Sequence, residues 1–478
     1  MDNIRIHSST KNGLLRLLGK PIQLFIELYK LLEPQYGTIS NSIYTNRVTK
    51  IRFDMLSDLF LKSFKKIYRG ASDKHSLDEV KRVVNNECDN NLLCLSLFKG
   101  LADYLTIYRK GTLNLLELIK IDGLIVTPKP PNPIYEALQN PVREHYGTSF
   151  HDLTDIFKYI SVIKETNLKI NLVKSEKLKR ACSYMKLRVK KGFKIAVTPF
   201  MNHMTFNIDS LFDNWPENEK TPYWFRKIEN IKEAKTWLIE KILKPCTERE
   251  VDILVLPELS IDEQLLIFLK KWLKLNNRER VSSGKPGLLL VAAGSFHFES
   301  KTNKRLNTST VLNHSGDILW TQNKIKRFSF DIIDIQKKPE IQSLLKTSPI
   351  GGYEYINETD TICCVDTPIG RISVSICIDF FHKEHLEVYR QTKTHIFLVP
   401  AMSYQNIRFL QTAGIFARDN LAASFISNSG YIAKKEKSSI NIEGASFYFL
   451  PRKMEIGIMA KEEEGNLLIF DAGELIKS

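Results

Sequence analysis

A chain of 478 residues, 43% hydrophobic and 26% charged, has room for two or three domains and the composition of a soluble globular protein. No apolar run approaches the ~20 residues of a spanning helix, and the N-terminus lacks the charged-then-apolar layout of a signal peptide, so a cytoplasmic protein without a membrane partner is expected. The net charge of +15 is uneven: 31 Lys and Arg against 19 Asp and Glu fall in residues 1–190, which therefore carry +12 of it. Such asymmetry suits an anionic partner, nucleic acid or an acidic protein, and equally a solvated basic face.

Residues 1–125 read as helical. Apolar residues from Leu14 to Leu32 recur mostly at three- and four-residue spacing, with Pro21 placed where a helix restarts. Met55, Leu59, Phe60 and Phe64 form another face that Gly70 would end, and Ser76-Leu-Asp-Glu79 is a candidate capping box. Asn91 to Lys120 reads as one long or broken helix with weak points at Gly100 and Gly111. Pro128, Pro130, Pro131, Pro133 and Pro141 then predict an extended connector. A helix over about 149–163 and a basic stretch to Lys191 complete a connecting region, 126–191, between the helical region 1–125 and a domain over 192–475.

From Phe193 strands and helices alternate. Lys194–Thr198, Asp252–Leu256 and Gly287–Gly294 read as buried strands, Trp224–Leu243 and Asp262–Leu275 as helices. Asn307–Leu312 and Asp317–Gln322 flank Gly316 as a hairpin. Strands follow at Ile372–Ile378, His395–Val399 and Ala422–Ser427, then at the edge through Phe449 and Leu468. This mixture predicts a layered α/β sandwich.

The seven cysteines include no Cys-x-x-Cys pair, which argues against zinc ribbons and a disulfide scaffold. His297, His314, His382 and His385 lack a metal-binding spacing, and no phosphate-binding glycine loop is present, so neither metal nor cofactor is expected. Glu258, Lys324 and Cys377 each stand at or near the end of an apolar strand. A carboxylate, an ammonium and a thiol can make a nucleophilic cysteine site, because a thiol attacks only as thiolate and needs a base or a positive charge beside it. Spacing alone does not separate this from a buried core cysteine.

The local words do. Leu256-Pro-Glu258, the interval from Gly316 to Lys324, and Gly370 through Ile376, Cys377 and Asp379 to Glu384 resemble the nitrilase (carbon–nitrogen hydrolase) superfamily, as do Phe397-Leu-Val-Pro-Ala401 and Ser427-Asn-Ser-Gly430 downstream. The resemblance covers Gly192 to Leu475. It implies a four-layer α-β-β-α sandwich that assembles as a dimer or larger. It also implies Glu258 as base, Cys377 as nucleophile, and Lys324 with the Ile378 amide as holders of an oxyanion. The substrate class would be small amides or nitriles. For the second glutamate that many members use, Glu354 is the leading candidate, with Asp331 and Glu358 as competitors. Gln322-Asn323 before Lys324, Ile378 in place of an aromatic, and His382-Lys383 before Glu384 depart from the family pattern and put ordinary specificity in question.

A basic helical region ahead of such a domain resembles the nitrilase-bearing components of bacterial defence reverse transcriptases. No reverse-transcriptase motif is present in this sequence, so that enzyme, or a nucleic acid, would be a separate partner of residues 1–191. The rival expectation is a catalytically silent nitrilase-like module that acts through a nucleic-acid or protein partner.

Overall fold

Apart from gaps of one or two residues, the computed structural model describes residues 8–36, 46–68, 74–108, 119–128, 160–189, 192–199, 204–210, 215–337, 345–429, 446–451, 456–458 and 467–472, with 39 and 43. The chain divides into two compact units, Met1–Lys129 with Pro141–Glu165, and Pro130–Asn140 with Thr166–Ser478.

The first unit holds helices α1 (Ser8–Arg16), α2 (Pro21–Leu32), α3 (Arg47–Tyr68), α4 (Lys74–Asn86) and α5 (Asn90–Tyr108). Their apolar faces share one core in which Phe25, Phe60, Phe64 and Phe98 are buried. The caps lie at residues the sequence reading passed over. Asn46 Oδ1 accepts the amides of Val48 and Thr49, and Asp89 Oδ1 those of Asn91 and Leu92. Ser76 is not a cap: α4 already begins at Lys74, and Ser76 lies buried in its first turn. Gly100 is no weak point either. A Cβ there would stand 2.6 Å from Phe60 Cβ and 2.9 Å from the Ser57 carbonyl, so glycine is what lets α3 and α5 approach.

Three further expectations give way to strands. Ile119–Ile121 (β1) and Leu124–Pro128 (β2) pair antiparallel, and Ile160–Lys164 (β3), expected to end a helix, adds to β2. Their β-branched residues fit a pleated sheet better than a helix. Gly70, Cys88, Gly111 and most of the proline-rich connector lie outside the described residues.

The second unit begins with β4 (Lys169–Leu172) and α6 (Glu176–Val189). The basic stretch is thus part of this unit: Leu178, Ala181 and Met185 of α6 enter its core, and Arg188 binds the buried Asp252 at 2.8 Å. Next come β5 (Lys194–Val197), β6 (Phe206–Ser210), β7 (Thr221–Ile228), α7 (Ile231–Trp237), α8 (Lys244–Glu248), β8 (Ile253–Val255), α9 (Glu263–Trp272) and α10 (Arg278–Ser282). Trp224–Ile228 is strand, not helix, because the aromatic run pairs with β6 and the helix starts only at Ile231. The chain continues through β9 (Leu290–Ala292), β10 (Phe296–Glu299), β11 (Arg305–Asn313), β12 (Ile318–Asn323), β13 (Ser329–Asp331), α11 (Ile332–Lys337), β14 (Gly351–Glu354), β15 (Thr361–Thr367) and β16 (Gly370–Val374). It ends with α12 (Lys383–Gln391), β17 (Ile396–Ala401), α13 (Ile407–Asp419), β18 (Ala423–Asn428), β19 (Phe447–Phe449), β20 (Ile456–Ile458) and β21 (Leu468–Asp471).

One seven-stranded sheet runs β10-β11-β9-β8-β5-β21, with β12 also on β11; the other runs β20-β19-β18-β17-β16-β15-β4. Alternation along the strands sets the layers. Ile195, Val197, Ile253, Val255, Leu290 and Ala292 pack in the core shared with the second sheet. Their neighbours Ala196, Leu254 and Val291 pack with Leu265 and Leu269 of α9. On the second sheet Phe397 turns outward and stacks on Phe416 of α13 at 4.3 Å. Helix, sheet, sheet, helix is the four-layer α-β-β-α sandwich the sequence predicted. A four-stranded sheet, β13-β14-β7-β6, flanks it.

Candidate active site

Backbone geometry delivers four side chains from three sheets to one place. The chain leaves β8 through Leu256-Pro257 to Glu258, and Leu259 then takes φ +56°, which turns the chain away. Gly294, at φ +59°, lies so close to the Pro257 carbonyl that a Cβ there would collide with it. Lys324 is the first residue beyond β12 and Glu354 the last of β14. Cys377 follows β16 and opens a 3₁₀ turn, Cys377–Phe381, at φ +51°. A non-glycine residue in this left-handed conformation is strained, and that strain commonly aims a nucleophile out of a strand end.

The four are buried, with relative exposures of 3% for Glu258, 2% for Lys324, 2% for Glu354 and 6% for Cys377. Lys324 Nζ lies 2.7 Å from Glu258 Oε1 and 2.6 Å from Glu354 Oε2. Glu258 and the Met402 backbone stand close enough to the Cys377 thiol to act on its proton, the first pushing its pKa up and the second down. Of the three candidates for a second glutamate, Glu354 is the one placed beside Lys324. The competitors are elsewhere: Asp331 accepts the Ile333 amide at the surface, and Glu358 pairs with Lys326 and Arg327. Ile378, the residue expected to offer its amide, lines the same pocket.

The sequence reading missed the residues that hold this cluster. Asn307 Nδ2 donates to Glu258 Oε1 at 3.0 Å and to Glu354 Oε1 at 2.7 Å. His297 Nδ1 accepts the Phe225 amide, so Nε2 carries the ring proton and donates to Glu354 Oε1 at 2.8 Å. The Phe328 amide donates to Glu354 Oε2 at 3.0 Å. Asp379 anchors the lysine loop by accepting the amides of Ile325 and Lys326 at 2.8 and 2.9 Å. In the sequence His297 stands out only as a metal-ligand candidate, and among the described residues no His, Cys, Asp or Glu cluster is placed to hold a metal ion. Asn307 stands in a strand word with no chemical signature, so nothing in the sequence marked it.

Burial and charge set the protonation states. Burial works against the Lys324 ammonium, but Glu258 and Glu354 outweigh it and hold the pKa well above the ordinary lysine value. Burial would raise Glu354, yet Lys324 and His297 pull it far below the usual carboxylate range. The Cys377 thiol is pushed well above its ordinary value by burial and by the Glu258 carboxylate, with Lys324 opposing. Burial also pushes Asp379 up to about 7 against the pull of its two amides. Its folded value lies above the unfolded one near 4. The stability linked to this proton is therefore full below about pH 4 and is lost as pH rises through 7. Asp379→Asn should flatten that fall in a series of thermal melts; an unchanged slope would exclude Asp379 as its source.

These groups open on a pocket of about 320 Å³ whose walls carry six aromatic rings, Tyr223, Phe225, Phe328, Phe330, Phe381 and Phe409. Gln322, one of the departures from the family pattern, does not line it. Its side chain donates to the Thr361 carbonyl and accepts the Cys363 amide, tying β12 to β15 of the other sheet.

No family model matches the sequence, and no curated protein does. Solved structures of nitrilase superfamily proteins are similar over about three-fifths of the chain. Nit3 of Saccharomyces cerevisiae, a member of branch 10 of the superfamily, is 17% identical over 60% of this chain and 92% of its own, with a TM-score of 0.35. A Nesterenkonia amidase mutant, captured with the acetamide moiety of fluoroacetamide on its active-site cysteine, is 14% identical over 60% of this chain and 92% of its own, TM-score 0.34. A glutamine-dependent NAD+ synthetase of Acinetobacter baumannii is 16% identical over 59% of this chain, TM-score 0.36, and this chain spans only 45% of that one. By its own layers and strand order the second unit is a four-layer α-β-β-α sandwich. At these identities the chemistry has to be read from the side chains themselves.

Proposed function

We propose that the second unit is a carbon–nitrogen hydrolase that cleaves a small amide or nitrile through a covalent cysteine intermediate. The observation that carries this is the Glu258 carboxylate, shared between the Lys324 ammonium and the Cys377 thiol at the wall of the pocket. Substrate binding brings a carbonyl carbon to sulfur. The thiol proton passes to Glu258 as the C–S bond forms, and Lys324 with a backbone amide at the Cys377 turn holds the oxyanion. Glu258 returns the proton to nitrogen as the C–N bond breaks, which leaves a thioester. Water then gives its proton to Glu258, attacks the thioester, and the released sulfur recovers a proton. A nitrile follows the same path through a thioimidate that water opens to the thioester with loss of ammonia. Ammonia release from a panel of amides, nitriles and glutamine tests this. Wild type should turn over at least one member and show a thioester adduct by mass; Cys377→Ala should do neither. A Cys377→Ala protein of full activity refutes the assignment.

One feature favours the silent-module reading: burial and the Glu258 carboxylate push the Cys377 thiol well above its ordinary value. Alkylation of Cys377 by iodoacetamide near neutral pH separates the two, since a site with a working base labels and an inert one does not. For residues 1–191, the reading is attachment to a nucleic acid, or to a reverse transcriptase of a defence system, through their excess of Lys and Arg. Nucleic-acid affinity that falls steeply with salt supports this, and no binding at low salt removes it.

A further inference from the structure

We propose that the Tyr223 hydroxyl is a further hydrogen-bond donor to the oxygen of the tetrahedral intermediate; the inference rests on the hydrolase reading and adds a catalytic residue to it. Tyr223 stands on β7 directly beside Glu354 of β14, its partner in the parallel register. Paired residues project from the same face of a sheet, and both of these line the pocket, as does Phe225 two residues on. The Tyr223 ring packs edge-on against Phe225 at 6.2 Å and against Phe330 at 6.1 Å, and the residue is 4% exposed. The ring is thus held firmly. Its hydroxyl has no hydrogen-bond partner among the described residues, and the oxygen is open to the pocket rather than sealed. A phenol placed this way completes its hydrogen bond with whatever occupies the pocket.

A count of donors decides which atom that is. Lysine has three N–H donors. Two of those on Lys324 go to Glu258 Oε1 and Glu354 Oε2, which leaves one for a substrate oxygen. The backbone amide at the Cys377 turn supplies a second donor, and an oxyanion has room for a third. Glu354, beside the phenol, already accepts from four donors and does not draw it away. Burial and then the Glu354 carboxylate push the phenol well above its ordinary value, with Lys324 opposing, so it keeps its proton and stays a donor. Glu258 and Cys377 act on it as well, as they would on a group beside the reacting carbon. When sulfur adds, the C–S bond forms and the carbonyl π pair moves to oxygen, which accepts from Tyr223 without taking its proton. When that pair returns, the C–N bond breaks and nitrogen leaves with the proton from Glu258. The hydrogen bond strengthens as charge builds on oxygen, so it acts on the transition state more than on the bound amide.

Tyr223→Phe in the full-length chain removes the hydroxyl and keeps the ring. Ammonia release should fall roughly 10²- to 10³-fold, in kcat and not in KM. Two further readouts separate an oxyanion donor from a role in packing or in activating the thiol. Butyraldehyde adds to a thiol as a hemithioacetal: the C–S bond forms and the thiol proton ends on the former carbonyl oxygen. Protection of Cys377 from iodoacetamide should need roughly 10-fold more of this aldehyde in Tyr223→Phe than in wild type. Alkylation without aldehyde displaces iodide and builds no charge on an oxygen at the attacked carbon, so its rate should match wild type. Wild-type kcat, a loss confined to KM, unchanged aldehyde protection, or alkylation slowed as much as turnover overturns the proposal. So does a wild type that butyraldehyde fails to protect. Tyr223-dependent aldehyde protection without ammonia release from any amide or nitrile supports the donor at Tyr223 and overturns the hydrolase.

Discussion

Glu258→Gln is expected to lower kcat/KM for ammonia release by roughly 10²- to 10⁴-fold, the range that loss of a positioned general base produces. The two glutamates differ in what their oxygens have left to offer. Glu354 is saturated: His297 and Asn307 donate to Oε1, Lys324 and the Phe328 amide to Oε2. Four donors favour its charged form and leave no room for an incoming proton. Both of the other bonds to Glu258, from Lys324 and Asn307, end on Oε1, which leaves Oε2 for the thiol. On the proposed mechanism the proton from Cys377 therefore goes to Glu258. Glutamine keeps the shape and the Oε1 contacts but cannot take that proton, so labelling of Cys377 by iodoacetamide near pH 7 should slow together with turnover. Wild-type rates in both assays would remove Glu258 from the role of base.

Lys324→Met carries the largest expected loss of stability, roughly 3–5 kcal/mol, the cost of leaving buried charge without its partner. Methionine fills much of the volume, so the loss comes from Glu258 and Glu354, now two carboxylates sharing a site without their cation. One of them would have to take up a proton to relieve the repulsion. The pH dependence follows. In the wild type, Lys324 holds Glu354 below its unfolded value of about 4.3. That stability is present above this value and is lost as pH falls through the lower, folded one. The wild type should thus exceed Lys324→Met by most near neutral pH, and the gap should close in acid. Urea unfolding at pH 7 and at pH 4 measures both. Glu354→Gln added to Lys324→Met should recover part of the loss, and a strictly additive double variant would show that the two groups are not coupled.

What the sequence disclosed follows from where its physical signals are local. Strand, turn and reactive residue are adjacent at Leu256-Pro-Glu258 and at Gly370 to Cys377, so the sandwich and three of the site groups were legible. Glu354 could be nominated only beside Asp331 and Glu358, because what selects it is the parallel pairing of β14 with β7, which no local pattern encodes. Asn307 and His297 were illegible for the same reason: their bonds reach across 49 and 57 residues to Glu258 and Glu354. Errors over three of the strands were of another kind. Ile119–Ile121, Ile160–Lys164 and Trp224–Ile228 carry apolar residues at spacings that fit either periodicity, and tertiary pairing chose the strand.

Gln322 ties together two sheets that each own part of the chemistry. Glu258 and Lys324 leave strands of one sheet, Cys377 leaves a strand of the other, and Glu354 ends a strand of the small flanking sheet. No half-assembled chain can therefore hold a thiol beside its base. On the proposed mechanism, catalytic competence is acquired in the same step that joins the layers. Turnover is then a gauge of the whole fold: in rising denaturant it should vanish with the steepness of global unfolding, not fade ahead of it.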